Sequence, residues 1–295
     1  MAQEHTYQGD EPVRLNKWMA QLGLCSRREA EALISRGEVK VNGETVSEPG
    51  HKISPGETMV LGSAGAKALD DQLTAVLHKP VGYVSAQPEA GQTPAVRLVT
   101  KANLVGKAPK LPGAKTQLAP LGRLDMDSRG LLLLSQDGVL AKAVIGPHSN
   151  LDKEYLVTVK GQVTPQALDK LRHGLTLDGR RLKHAKVDQV SPGRLRFILR
   201  EGRNRQIRRM CELVGLLVID LYRVRIGPLA LGDLPEGKWR ALTDEERASL
   251  ISSASAEASG RRPSSSAESG ARSASARSRG KPRSAGAKAG RPRKR

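Results

Sequence analysis

Nine residues, Gly122-Arg123-Leu124-Asp125-Met126-Asp127-Ser128-Arg129-Gly130, place two carboxylates on a polar stretch between apolar runs at 118–121 and 131–134. The second run is short and predicts a buried strand rather than a helix. Carboxylates on a connection between rigid strands stand where catalytic groups are common. Arg123 precedes Asp125 by two residues. A nearby guanidinium favours ionised carboxylates, which can act as nucleophile or base. Spacing alone equally allows a connection whose charges face water.

A second cluster is Glu201-Gly202-Arg203-Asn204-Arg205-Gln206-Ile207-Arg208-Arg209-Met210-Cys211-Glu212. Ile207, Met210, Cys211 and Val214 form a buried helical stripe. Arg205, Arg208 and Arg209 fall at i, i+3, i+4 and share a second face. A glycine-containing turn entering a helix beside four arginines suits phosphate. His78-Lys79-Pro80-x-Gly82-x-x-Ser85 ends a strand in a turn, where Lys79 is either a phosphate contact or a surface lysine. Tyr155 starts the alternating strand 153–159; by itself such a tyrosine is more often core.

The elements that must hold these groups follow from periodicity. Residues 1–12 read as a disordered leader. Leu15, Trp18, Met19 and Leu22 share one helical face, ended by Gly23. Ser26 and Glu29 form a capping box for a second helix, which buries Ala30, Leu33 and Ile34. Val39 and Val41, an Asn42-Gly43 turn and Thr45-Val46 predict a hairpin. Ile53 and Met59 to Leu61 predict a further strand pair around Pro55-Gly56. Arg14, Lys17, Arg27, Arg28 and Arg36 make this small unit a phosphate-binding face. A Gly/Ala linker covers 62–72, and a second domain runs over 73–250. Residues 86–117 read as a surface excursion without chemistry. Helices are predicted at 139–145 and after Thr164-Pro165, with strands at 185–190, 195–199 and 216–226.

Of the 295 residues, 49 are Lys or Arg and 30 Asp or Glu, a formal charge of +19. That balance points to a polyanion, nucleic acid before anionic membrane. Residues 252–295 hold twelve basic and two acidic residues and no aromatic side chain, so 251–295 reads as a disordered basic tail. No apolar run predicts a membrane span or signal peptide. Two cysteines without a CxxC spacing point to a reducing, cytoplasmic setting and to no metal site. Aromatics at 2% argue against a stacking platform for RNA bases.

Gly122-Arg123-Leu124-Asp125 followed by Ser128-x-Gly130 and Asp137-Gly138 resembles the catalytic motif of the RsuA/RluB/RluE/RluF pseudouridine synthases. His78-Lys79-Pro80-x-Gly82, Lys153-Glu154-Tyr155 and the Gln206-Ile207-Arg208 run resemble that family's other motifs, in order. Residues 13–61 resemble its small S-four-like RNA-binding domain. The resemblance implies an α+β chain whose catalytic domain is a mixed, mainly antiparallel sheet. It implies isomerisation of uridine to pseudouridine, with Asp125 doing the chemistry, Tyr155 against the base and Arg208 paired with Asp125. Lys79, Arg123, Arg203, Asn204, Arg205 and Arg209 would hold RNA with the basic residues of the N-terminal unit. No cofactor is implied. The motif details are closest to the RluF branch, which acts on large-subunit (23S) ribosomal RNA; Arg203 departs from that branch, and the RluB and RsuA branches stay open. Transfer RNA is a further implied partner, and the chain would be a monomer. Two other classes fit the residues: an RNA N-glycosidase using Asp125 and Asp127 as a pair, and a non-enzymatic RNA-binding assembly factor.

Overall fold

The structure, a computed structural model, describes residues 4–113 and 116–258. The N-terminal unit begins earlier than expected. Strand β1 (Glu4–Thr6) lies in the stretch read as a disordered leader. It pairs antiparallel with β6 (Thr58–Leu61), because His5 and its neighbours complete a sheet edge that β6 would otherwise leave open. Strand β2 (Val13–Arg14) leads into α1 (Leu15–Gln21). Helix α2 (Arg27–Ser35) starts at the Ser26/Glu29 capping box. Strands β3 (Val39–Val41) and β4 (Glu44–Val46) form the hairpin at Asn42-Gly43, both at positive φ, as a two-residue turn requires. Ile53, in β5 (Lys52–Ile53), pairs with β2 and not with β6, so the expected strand pair around Pro55 does not form. Leu22 caps α1 and is exposed rather than inward. Leu15, Met19, Leu33, Ile34, Val39 and Met59 pack into a core belonging to this unit alone.

The stretch expected as a linker is mostly helix, α3 (Ser63–Asp70). It joins β7 (Thr74–Lys79), which starts a nine-stranded sheet. After a short parallel pair, β8 (Tyr83–Val84) with β9 (Thr93–Pro94), the 86–117 stretch is anchored better than its composition suggested. Ala95 and Val99 are buried, and Leu104 bridges to Trp239. Strands β10 (Ala119–Leu121) and β11 (Arg129–Ser135) flank the carboxylate loop, as the two apolar runs predicted. Helix α4 (Gly138–Ile145) is capped by Asp137. Strand β12 (Lys153–Lys160) and α5 (Pro165–Arg172) follow, the latter capped by Thr164 with Pro165 at its first turn. Then come β13 (Thr176–Leu177), β14 (Arg180–Arg181), β15 (Lys186–Ser191), β16 (Arg194–Leu199) and α6 (Gln206–Glu212). Strands β17 (Leu217–Ile226), β18 (Leu229–Ala230) and β19 (Trp239–Ala241) complete the sheet, in the order β15-β16-β12-β17-β11-β7-β19, with β10 paired to β11 and β18 to β17 off that path.

The sheet is mainly antiparallel, with one parallel junction between β11 and β17. Strands β7 and β11 are apolar without alternation because both sheet faces are covered. Ala75, Leu77, Leu132 and Leu134 belong to one core, and Val76, Leu131 and Leu133 to the core on the other face. Helix α7 (Asp244–Ala258) packs on α4 through buried Leu250. It carries helix eight residues into the expected tail; residues from 259 lie outside those described. Glu29 ties the N-terminal unit to the sheet domain. Its carboxylate accepts from Ser26 N–H of its own capping box and from Gly138 N–H at the start of α4. Among the described residues no helix is long and apolar enough to cross a membrane.

The β11/β17 junction leaves no room at Gly130. Its φ is +112°, and an added Cβ would sit 2.3 Å from Arg223 O. Gly130→Ala is expected to destabilise the chain by at least about 2 kcal/mol, measured by urea unfolding; a loss under about 0.5 kcal/mol would show that the junction can open without cost.

Candidate active site

Five paired positions cross the sheet in one row: Phe197, Tyr155, Arg223, Gly130 and Lys79. The carboxylate loop rises from this row. Ser85 pins it: its hydroxyl donates to Leu124 O at 2.7 Å and accepts from Leu124 N–H at 2.9 Å. Gly82 N–H adds a bond to Met126 O. Arg223, 1% exposed, donates to Leu131 O and Gly122 O and holds the loop from beneath. The loop lines a cleft of about 860 Å³, to which Asp125, Tyr155, Arg205, Arg208 and Arg223 all contribute. The Asp125 carboxylate is 38% exposed, reachable from that cleft. Tyr155, 9% exposed, is part of the core and part of the cleft wall at once.

The arginines are distributed differently from expectation. Arg208 does not pair with Asp125. Its Nη2 donates to Asp127 O at 2.8 Å, its Nη1 to Val218 O, and its Nε lies 3.3 Å from Asp127 Oδ2. Helix α6 turns Arg208 into the protein, where it is buried beside Ile207 rather than sharing an exposed face with Arg209. Arg205 approaches Asp125, at 3.7 Å, while clamping Asp127 through two bonds of 3.0 and 3.2 Å. It does so from the left-handed conformation (φ +48°), which costs a non-glycine residue about 1–2 kcal/mol. Such strain is typical of functional positions. Burial works to raise the Asp127 pKa, but the Arg205 bonds and the Arg208 charge outweigh it and hold Asp127 below the usual carboxylate range.

Lys79 is not exposed as a phosphate contact or a surface lysine would be. It is fully buried, and its Nζ donates to Pro80 O and Tyr83 O, stiffening the turn under the carboxylate loop. Burial pushes its pKa down to about 8 against the pull of Asp125 and Asp127, with Arg223 lowering it further. Arg203 and Arg209 are also committed elsewhere: Arg203 donates to backbone carbonyls, and Arg209 pairs with Asp178. Arg123 and Asn204 are exposed on the cleft rim. Arg14, Lys17, Arg27, Arg28 and Arg36 are exposed on the N-terminal unit and form no ion pair within 4 Å among the described residues. Sequence reasoning placed Ser85 in a motif supporting the loop without assigning its bonds, and missed Arg223 as a loop support. The signal for Arg223 was an arginine on the inward phase of an apolar strand. Burial pushes the Cys25 and Cys211 thiols up to about 12, and among the described residues no cluster of His, Cys, Asp or Glu is gathered as a metal site needs.

Residues 73–213 match the family described as RNA pseudouridylate synthase, and residues 13–58 match the S4 domain. The chain is 34% identical over 258 residues to the dual-specificity RNA pseudouridine synthase RluF of Escherichia coli O157:H7, covering 87% of this chain and 84% of that one. The chain belongs to the RsuA-type family of RNA pseudouridine synthases. It is an enzyme that converts uridine to pseudouridine, with an S4 domain at its N-terminal side. It is also 35% identical over 240 residues to the ribosomal large subunit pseudouridine synthase B of Bacillus subtilis, covering 79% of this chain and 93% of that one. A crystal structure of a pseudouridylate synthase superposes with a TM-score of 0.55 at 28% identity, covering 81% and 99% of the two chains.

Arg205→Lys and Arg208→Lys keep a charge but lose planar two-point contacts. Both are expected to lower the single-turnover rate by about tenfold or more; unchanged rates in both would remove the Asp127 clamp from the active site. Lys79→Met is expected to leave the salt slope of RNA binding unchanged, where a phosphate contact would lower it by about 0.7–0.9. The lowered pKa also sets a sign. Between about pH 8 and the ordinary lysine range the unfolded chain binds the extra proton, so this lysine makes wild-type stability rise with pH. Urea unfolding across that window should show the rise reduced in the methionine variant.

Proposed function

We propose that this enzyme acts on ribosomal RNA, most directly the large-subunit (23S) RNA, as a cytoplasmic monomer with Asp125 as its catalytic carboxylate. The observation that carries the reading is Asp125 itself: a reachable carboxylate on a loop pinned by Ser85 and Arg223, at a cleft walled by Tyr155 and Arg205. The relatives named above as acting on RNA, one of them on the ribosomal large subunit, support the substrate.

The chemistry begins when the target uridine leaves its stack, at a cost of a few kcal/mol that RNA binding offsets. Asp125 acts while the N1–C1′ bond breaks. The uracil turns in the cleft, with Tyr155 along its edge, and C5 bonds to C1′. The C5 proton is lost and N1 gains one, so the product has the mass of the substrate. A cleft that confines the base favours rejoining over escape. The carboxylate-pair chemistry of an N-glycosidase fits less well. It needs a protonated partner acid, and Asp127 is held ionised by Arg205 and Arg208.

Asp125→Asn is expected to lower pseudouridine formation by about 10²–10⁴-fold while RNA affinity stays within a few-fold. Mass spectrometry of ribosomal RNA treated with each protein, with the linkage assigned by fragmentation, makes the measurement. Product from the asparagine variant at over about a tenth of the wild-type rate would move the chemistry to another residue, and free uracil in place of pseudouridine would overturn the reaction.

A further inference from the structure

Two arginines of the 203–209 cluster serve a neighbouring hairpin instead of the cleft. Arg203 Nη1 donates to Leu177 O at 3.0 Å and Arg180 O at 3.2 Å, and its Nη2 donates to Arg181 O at 3.1 Å. Arg209 makes a two-point pair with Asp178, at 2.9 and 2.6 Å. Every acceptor belongs to the β13–β14 hairpin, which turns at Asp178-Gly179 with both residues at positive φ. A two-stranded hairpin of this size does not hold itself in water. Here two guanidinium groups hold it against the rest of the domain.

What this region presents outward is basic. Arg180 and Arg181 of the hairpin, and Lys183 two residues past β14, are exposed, and among the described residues none makes an ion pair within 4 Å. The one acid of the turn, Asp178, is already matched by Arg209. Lys183 and the hairpin's anchor Arg203 line the same cleft as Asp125, which puts the hairpin beside the cleft rim. Rigid backbone, free guanidinium groups and a neutralised acid beside a nucleotide-sized cleft are the features of a phosphate contact surface.

We propose that the β13–β14 hairpin docks RNA at the cleft rim, with Arg180, Arg181 and Lys183 binding backbone phosphates next to the target uridine. The proposal rests on the reading that the cleft receives a uridine of an RNA strand. A flipped nucleotide stays joined to the strand on both sides, so its phosphates must lie at the rim. Cations held there by a rigid hairpin offset part of the unstacking cost. Arg203 and Arg209 are then positioning residues for RNA docking and not contacts themselves.

The test is equilibrium binding of the full chain to unmodified large-subunit ribosomal RNA transcript over a series of salt concentrations. The Arg180→Ala, Arg181→Ala double variant is expected to bind about tenfold more weakly or worse near 0.1 M salt, with the salt slope lower by about 1.5 for two lost contacts. Lys183→Ala should lower the slope by about half as much. Its readout stands alone should the double variant show a lowered melting temperature. The Arg180→Lys, Arg181→Lys variant should keep most of the affinity. Wild-type affinity and slope in the alanine variants, or lysine variants as weak as alanine ones, would overturn the proposal. Wild-type protein that binds this RNA but forms no pseudouridine would overturn the substrate reading instead, and the binding comparison would still decide the hairpin.

Discussion

The close approach of β11 to β17 at Gly130 and Arg223 is the constraint on which the rest of the site depends. Only two residue pairs form this parallel junction, Arg129 with Tyr222 and Gly130 with Arg223. It joins the β15-β16-β12-β17 half of the sheet, carrying Tyr155, to the β11-β7-β19 half, from which the Asp125 loop rises. A side chain at position 130 would force the halves apart. With glycine there, the buried Arg223 guanidinium reaches across the seam to Leu131 O and Gly122 O. The loop's position is therefore set by backbone contact and by two charge-assisted hydrogen bonds, which are stronger than neutral ones.

The same seam shapes the electrostatics. Arg223, Lys79 and Arg208 are all buried within the wall and floor of the site. Burial first, and Arg223 second, lowers the Lys153 pKa as well. Buried cations are costly unless hydrogen-bonded, and here backbone carbonyls of the motif loops accept from them. These bonds make the loops rigid and leave a positive field where a polyanionic strand would approach. Asp127 gathers Arg205 and Arg208 into one clamp, which keeps Arg205 within reach of Asp125. The arginines near the motif thus divide into a buried support, a strained clamp and two anchors for a basic hairpin. A uniform phosphate-binding face would have used them interchangeably.

The joining of the two domains follows a similar economy of contacts. Glu29 completes the capping box of α2 and also accepts from the first N–H of α4. Gly138 fits there because a Cβ would meet Ser26 at 2.4 Å. One carboxylate at two helix N-termini gains from both sets of unpaired N–H groups. The exposed Arg27 and Arg28 lie on α2, the helix that makes this contact, so it ties that basic helix to the sheet domain.

Local chemistry by itself determined much of this protein. Short apolar runs beside glycine predicted β7, β10 and β11, the Ser26/Glu29 spacing predicted the start of α2, and Asn42-Gly43 predicted its hairpin. These features depend on neighbours a few residues apart, which is why they were legible. The family's motifs, present in order, identified the reaction and singled out Asp125. Tertiary structure decided the partners of long side chains. Nothing in the spacing of Arg203, Arg205, Arg208 and Arg209 shows that helix α6 buries Arg208, or that Asp127 takes the clamp expected of Asp125. Lys79 was open to two readings, a phosphate contact or a surface lysine, both of which leave it exposed; here a strand covered on both faces buries it. Strand β1 and helix α3 were read as unstructured because their short polar or small-residue sequences have weak local preference. The sheet edge at β6 gives β1 its partner, and Leu69 packs α3 against the N-terminal core. Flexible charged side chains choose among acceptors far apart in the chain, so their partners are fixed only once the sheet closes.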